Sequence, residues 1–220
     1  MDTGVNAYSP TQRSKVKRLH ERGHYDRETV HAILDAGMLA HIAYVIEGQP
    51  YVTPTAYWRD GDVLYWHGSS ASRMLETCVD ADVCVTVTMI DGMVMARAAF
   101  HHSCNYRSVM VMGKARIIRD SAEKERRLKT FVEKLFPGRW DILRPVTSQE
   151  LKATLMLSLS LHEASAKVRN GPPGDDEEDY ALPIWAGLIP MRTEILAPTA
   201  DARNLPGLSP PDHVRNFKME

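Results

Sequence analysis

A chain of 220 residues with 44% hydrophobic content has the size and composition of one globular domain with a sizeable core, with or without decorations. Its 27 Lys+Arg against 28 Asp+Glu leave no basic or acidic excess, which argues against a nucleic-acid binder or a membrane-surface protein. Three cysteines without Cys-x-x-Cys spacing (Cys78, Cys84 and Cys104) argue against a disulfide framework; with a polar start over 1–10 and no apolar run of membrane-spanning length, they predict a cytoplasmic protein.

Residues 15–22 form a basic stretch predicted to be a helical lead-in. Asp26 then has the place of an N-cap, Tyr25 and Val30 those of a hydrophobic staple, and Gly37 closes the helix. Two strands are predicted over 38–46 and 50–58, joined at Glu47-Gly48; a second tight turn at Arg59-Asp60-Gly61-Asp62 leads into a strand at 63–66. After a short helix over 73–80, Val83, Val85, Val87 and Met89 alternate with Cys84, Thr86 and Thr88, the period of a strand with one buried face. Asp91-Gly92 predicts a turn into a strand at 93–100, and 107–118 predicts another long strand. Residues 121–135 have the pattern of a charged amphipathic helix, stopped by Pro137-Gly138. Leu155, Leu157, Leu159 and Leu161 mark a late strand, 171–179 an acidic solvated loop, 185–195 a last strand, and 197–220 a weakly ordered tail. Hairpin-linked strands with few helices between them point to an antiparallel barrel, mainly β with α decorations, rather than a parallel sheet.

The segment His67-Gly68-Ser69-Ser70-Ala71-Ser72-Arg73-Met74 carries the clearest chemistry. A strand that breaks at glycine, passes through hydroxyls and enters a helix beside an arginine presents free N–H groups, serine donors and a guanidinium fork to an anion. It is neither a Walker A loop nor a Gly-x-Gly-x-x-Gly turn. A plain Ser-capped helix is the other reading of the same residues.

These residues, taken with others, resemble a family. Tyr25-Asp26, Gln49-Pro50, Pro54-Thr55-Ala56-Tyr57, His67-Gly68-Ser69 and Ser72-Arg73-Met74 follow one another as in the flavin-binding split-barrel proteins. The stretches Phe100-His101-His102-Ser103-Cys104-Asn105-Tyr106-Arg107-Ser108-Val109, Pro137-Gly138-Arg139-Trp140, Ala164-Ser165-Ala166-Lys167-Val168-Arg169 and Trp185-Ala186-Gly187 extend the likeness over most of 25–190. The subgroup it resembles is the pyridoxamine 5′-phosphate oxidase-related flavin-nucleotide-binding proteins, which includes nitroimidazole-resistance reductases.

The resemblance implies a six-stranded split β-barrel over 23–196, preceded by a lead-in over 1–22, that forms a homodimer with FMN or FAD in clefts shared by the subunits. It places the phosphate at His67, Gly68, Ser69, Ser72, Arg73 and Met74, and runs the strand Pro54, Thr55, Ala56, Tyr57 along the flavin edge. Tyr106, Arg107 and Ser108 are expected to reach the flavin of the neighbouring subunit, and Lys167 and Arg169 to approach its ring. A cation near N1 stabilises reduced flavin, a role open to Arg107, Lys167 or Arg169. The paired basic residues that hold the substrate phosphate in vitamin B6 oxidases have no counterpart near Met191-Arg192-Thr193, which argues against that activity.

Other constellations lead less far. His101, His102 and Cys104 are metal-ligand types, but neighbouring side chains on a strand face opposite ways, so no metal site is expected. No Gly-x-Ser-x-Gly elbow is present, and Met89, Met93, Met95, Met110 and Met112 suit core and dimer packing. Two functions stay open: a flavin-dependent oxidoreductase of a small molecule, with its catalytic residues unassigned, and a non-catalytic flavin carrier or sensor.

Overall fold

The computed structural model describes residues 6–218; the outermost parts of the predicted lead-in and tail, 1–5 and 219–220, lie outside them. In chain order the elements are β1 (Gly23–His24), α1 (Arg27–Ala36), β2 (Leu39–Ile46), β3 (Gln49–Asp60), β4 (Val63–Ser69), α2 (Arg73–Cys78), β5 (Asp82–Met95), β6 (Ser103–Lys114), β7 (Arg116–Ile118), α3 (Ser121–Leu135), α4 (Ser148–Ala153), β8 (Thr154–Ser160), β9 (Glu163–Arg169), β10 (Gly187–Pro190) and α5 (Asp212–Arg215).

Ten strands pair antiparallel among the described residues, in place of the six expected, in the order β1-β9-β6-β5-β2-β3-β4-β8-β7, with β10 added to β5. Because β7 follows β6 after the single residue Ala115, whose amide bonds Ala81 O, the path returns to the continuation of its own strand and the sheet curls into a barrel. The inward faces of β2, β4, β5, β6, β8 and β9 supply the core, with Ile42, Leu64, Trp66, Val85, Val111 and Leu157 essentially inaccessible. On the far side of β3, β4 and β8, Trp58, Tyr65 and Met156 make a second cluster, covered by Leu128 and Phe131 of α3.

Local chemistry explains most boundaries. Asp26 accepts from Thr29 N at 2.7 Å, a cap worth about 1 kcal/mol. Gly37 ends α1 for lack of room: a Cβ there would lie 2.5 Å from Val87 Cγ1 and 2.7 Å from the Tyr57 hydroxyl. Glu47 and Gly48 both have positive φ, the turn that matches hairpin twist.

Four expectations are corrected. Residues 15–22 make one short turn of helix, His20–Arg22, because Val16 N is drawn to the Tyr25 hydroxyl at 2.8 Å and Thr11 and Arg13 are held by Glu163. Asp91-Gly92 is a bulge inside β5, not a hairpin, since β6 and β10 supply partners on both edges of the strand. Residues 99–101 form a turn of helix, so the 93–100 strand ends early and the alternation argument for His101 and His102 does not apply. The acidic loop is not wholly solvated: the Asp175 side chain is fully buried, accepting from Arg97 N at 2.8 Å and pairing with its guanidinium at 3.1 Å.

Candidate functional site

The barrel is split at β3. Over 49–56 this strand pairs with β2, and only over 57–60 does it pair with β4. Beyond Trp66, β4 keeps β8 as a partner and loses β3. A notch opens there, edged on one side by Pro54, Thr55 and Ala56 and on the other by His67, Gly68 and Ser69. Backbone polar groups along those edges have no ladder partner and need water or a ligand.

The 67–74 segment closes one end of the notch. Its turn is tied down from within: Ser70 N donates to Ala153 O at 2.8 Å, Ser72 N to Ser69 O at 3.0 Å, Ala71 N to Ser69 Oγ at 3.2 Å and Leu75 N to Ser72 Oγ at 3.5 Å. That leaves the N–H groups of Arg73 and Met74 at the helix start. Gly68 lets α2 fold close, since a Cβ would sit 3.0 Å from Leu75 Cδ1. The Arg73 guanidinium lies 5.2 Å from the Tyr51 ring centroid, so the stacked arginine reaches back to β3. Tyr51 thereby joins the site; an aromatic one residue after Pro50 and three before Pro54 carries no signal of its own in the sequence.

Not every predicted side chain faces the notch. The Tyr57 hydroxyl donates to Leu34 O at 2.6 Å inside the core, which leaves Pro54, Thr55 and Ala56 as the accessible part of that strand. The His67 ring lies 5.7 Å from Trp58 and 5.4 Å from Phe131, under α3, with Nδ1 buried and without a partner. Burial pushes its pKa below the ordinary histidine value, so the imidazole is held neutral.

A second group gathers elsewhere. On β6 and β9, Ser108 faces Lys167 and Tyr106 faces Arg169 across the ladder, with Ser108 Oγ donating to Lys167 O at 3.2 Å. Arg107 points the other way and forks onto Asp91, with Nε at 3.0 Å and Nη2 at 2.9 Å. Hydrogen bonding to Asp91 raises the Arg107 pKa further, but the pair leaves little net charge for a flavin. Arg169 is spent on Asn105 and on the carbonyls of Gly171 and Pro172, at 2.9 and 3.0 Å. Lys167 forms no ion pair among the described residues. Arg107 and Arg169 line a cavity of about 880 Å³ with Arg22, His24, Thr29 and Ile33 of the α1 side.

Strands β5 and β2 stand between β6 and β3, about 14 Å along the sheet, so one chain keeps the two groups apart. Among the described residues no three His, Cys, Asp or Glu side chains converge as a metal site, and no helix is long and apolar enough to cross a membrane.

The family model for pyridoxamine 5′-phosphate oxidase matches residues 26–168. The chain belongs to this family. Comparison with the curated proteins gives no match. Among solved structures, the flavocytochrome Anf3 from Azotobacter vinelandii is 51% identical, with a TM-score of 0.93 over 97% of this chain and 100% of the other. An FAD- and haem-binding protein from Mycobacterium smegmatis is 35% identical, with a TM-score of 0.86 over 90% of this chain and 98% of the other. A putative 5-nitroimidazole antibiotic resistance protein from Bacteroides thetaiotaomicron shares the fold at 20% identity, with a TM-score of 0.53 over 65% and 84%. This member of the pyridoxamine 5′-phosphate oxidase family therefore has flavoprotein relatives along nearly its whole length.

Proposed function

We propose that this protein is a flavin-binding oxidoreductase that works as a homodimer, with one flavin in each notch. The observation that carries the reading is the split between β3 and β4, where two unpaired strand edges, the N–H groups of Arg73 and Met74, and the Arg73 side chain meet in one place. The residues present fit a flavin nucleotide. Ser69, Ser72 and Arg73 suit its phosphate, and the edges at Pro54–Ala56 and Gly68–Ser69 suit a flat ring that needs both donors and acceptors. The sequence resemblance leaves FMN and FAD both open; FAD, held by the relative of 35% identity, is the one we favour.

The second subunit is needed because the outward face of β2, β3 and β5 carries large apolar side chains with no cover among the described residues. Leu39, Val45, Val52 and Ile90 lie exposed there beside Pro54 and Ala56. A two-fold partner would cover this face with its own copy and bring Tyr106, Ser108 and Lys167 toward the neighbouring notch. Lys167, uncommitted to a carboxylate, is the cation we assign to the reduced ring.

When bound, flavin supplies the transfer of electrons to or from a small-molecule substrate. The chain binds the nucleotide at Arg73, excludes water with the partner's bare face, and sets the charge beside the ring with Lys167.

A flavocytochrome and an FAD- and haem-binding protein among the relatives favour a second cofactor. His67 would hold the haem iron by its chemistry: a neutral imidazole with an orphaned buried nitrogen between the aromatic walls of Trp58 and Phe131. His213, on α5, has the other imidazole nitrogen that is buried without a partner among the described residues.

The test is to purify the protein, record its visible spectrum and titrate the apoprotein with FAD and FMN by calorimetry. Flavin bands that bleach under a mild reductant are expected, with a Soret band that is lost in His67→Ala and kept in His213→Ala. A protein that binds neither nucleotide would overturn the flavin reading; one that binds flavin and lacks any Soret band would overturn the haem reading alone. Tight binding with no electron transfer to any acceptor would make it a carrier.

A further inference from the structure

The chain leaves β10 and returns to α5 without packing on its own body. Every residue over 188–210 is exposed, including Ile195, Leu196, Leu205 and Leu208, the second and third of these at 76% and 74%. Both ends are fixed. Upstream, Met191 N donates to Asp91 O at 3.0 Å, and Gly92 lets β10 lie flush on β5, since a Cβ there would meet Ile189 O at 2.9 Å. Downstream, the Phe217 ring packs on Phe136, the residue that ends α3, at 5.4 Å. In between, the hydrogen bonds are internal to the segment, Asn204 N to Asp201 O and Leu208 N to Leu205 O. Holding so long an extended segment in place is unfavourable unless burial offsets the lost backbone freedom.

We propose that residues 191–211 are a strap that packs across a second copy of this chain, with Ile195, Leu196, Leu205 and Leu208 as its anchors. This deepens the dimer reading above and rests on it. The occupant follows from position: the strap departs from β10, which lies on β5, the strand whose exposed Ile90 and Met93 rim the bare face, so it continues the surface a partner would cover. Its charges balance, with Arg203 facing Asp201 at 3.8 Å, which suits a protein surface rather than a charged lipid or nucleic acid. Pro198, Pro206, Pro210 and Pro211 favour extended backbone and lower the entropy lost on docking. Two-fold symmetry then gives each strap the other subunit's flank.

The experiment uses the full chain and two readouts, sedimentation equilibrium and trypsin cleavage after Arg203. With the wild type, cleavage at Arg203 should be slow above the dimer dissociation constant and fast below it. A Leu196→Asp/Leu205→Asp variant should raise the dissociation constant about a hundred-fold while keeping its far-ultraviolet spectrum, as expected when apolar anchors become carboxylates. Leu143→Asp, at an exposed leucine ahead of α4, should leave the constant unchanged. If the wild type dimerises but Arg203 is cut equally fast at every concentration, or the double variant dimerises as tightly, the strap proposal is wrong and the dimer stands. A wild type that stays monomeric at all concentrations overturns both.

Discussion

Two faces of the same sheet both carry large apolar side chains and are differently treated. Behind β3, β4 and β8, Trp58, Tyr65 and Met156 are sealed by Leu128 and Phe131 of α3, and Lys124 anchors that helix by donating to Leu151 O and Thr154 O at 3.0 and 2.6 Å. In front of β2, β3 and β5, Val52 is 62% exposed and Ile90 52%, with no element of the described chain above them. The described residues include a cover for the first face and none for the second. In the dimer proposed above, the difference separates what folds the subunit from what would assemble it, and the notch lies on the boundary between the two.

The largest effect is expected on the bare face. Val52→Asp puts a carboxylate into the centre of the proposed interface, twice over by symmetry, and should raise the dimer dissociation constant by about a thousand-fold or more, measured by sedimentation, with the monomer still folded. A variant that dimerises normally would break the comparison, because the bare face would then be ordinary surface.

Phe131→Ala tests the sealed face. Phe131 is half-buried, so the cost should fall somewhat below that of a fully buried phenylalanine, about 2–3 kcal/mol, seen as a melting temperature lower by roughly 4–12 °C with dimerisation unaffected.

Between the faces, Arg73→Ala should weaken FAD binding by about ten- to a hundred-fold, the loss of a charge-assisted hydrogen bond worth about 1.5–3 kcal/mol. Calorimetric titration measures this directly, and an unchanged affinity would remove the phosphate from the α2 turn.

The smallest effect is a pH dependence beneath α3. Burial holds the His67 imidazole below its ordinary 6.5, so as pH falls through that value the unfolded chain takes up a proton before the folded one does. Stability due to the neutral ring is therefore complete above pH 6.5 and declines below it. In His67→Phe apoprotein the acid side of the stability curve should be shallower; an identical slope would mean that the ring is not desolvated in solution.

How much of this was legible in the sequence depended on distance along the chain. Asp26, Gly37, Glu47-Gly48 and the Ser72 cap act through neighbours within a few residues, and their signals were plain. The bulge at Asp91-Gly92 looked like a hairpin because its reasons lie elsewhere: Arg107 pairs with Asp91, and Ile189 crosses Gly92 from a strand nearly a hundred residues later. The predicted lead-in helix failed for a similar cause, Glu163 holding Thr11 and Arg13 in place. Within the site, the glycine–serine–arginine turn was readable as a motif. The notch itself was not, because it arises from β3 changing partners after Ala56, and no residue pattern records where a strand exchanges one neighbour for another.

The central claim is that flavin is bound by two chains together, so flavin binding and dimerisation must be linked. Sedimentation equilibrium of the apoprotein with and without saturating FAD tests it most directly. The account predicts a dimer dissociation constant that falls as FAD is added and a dimer that binds the nucleotide more tightly than the monomer. An FAD affinity that is the same for monomer and dimer, with a dissociation constant that FAD does not move, would contradict it.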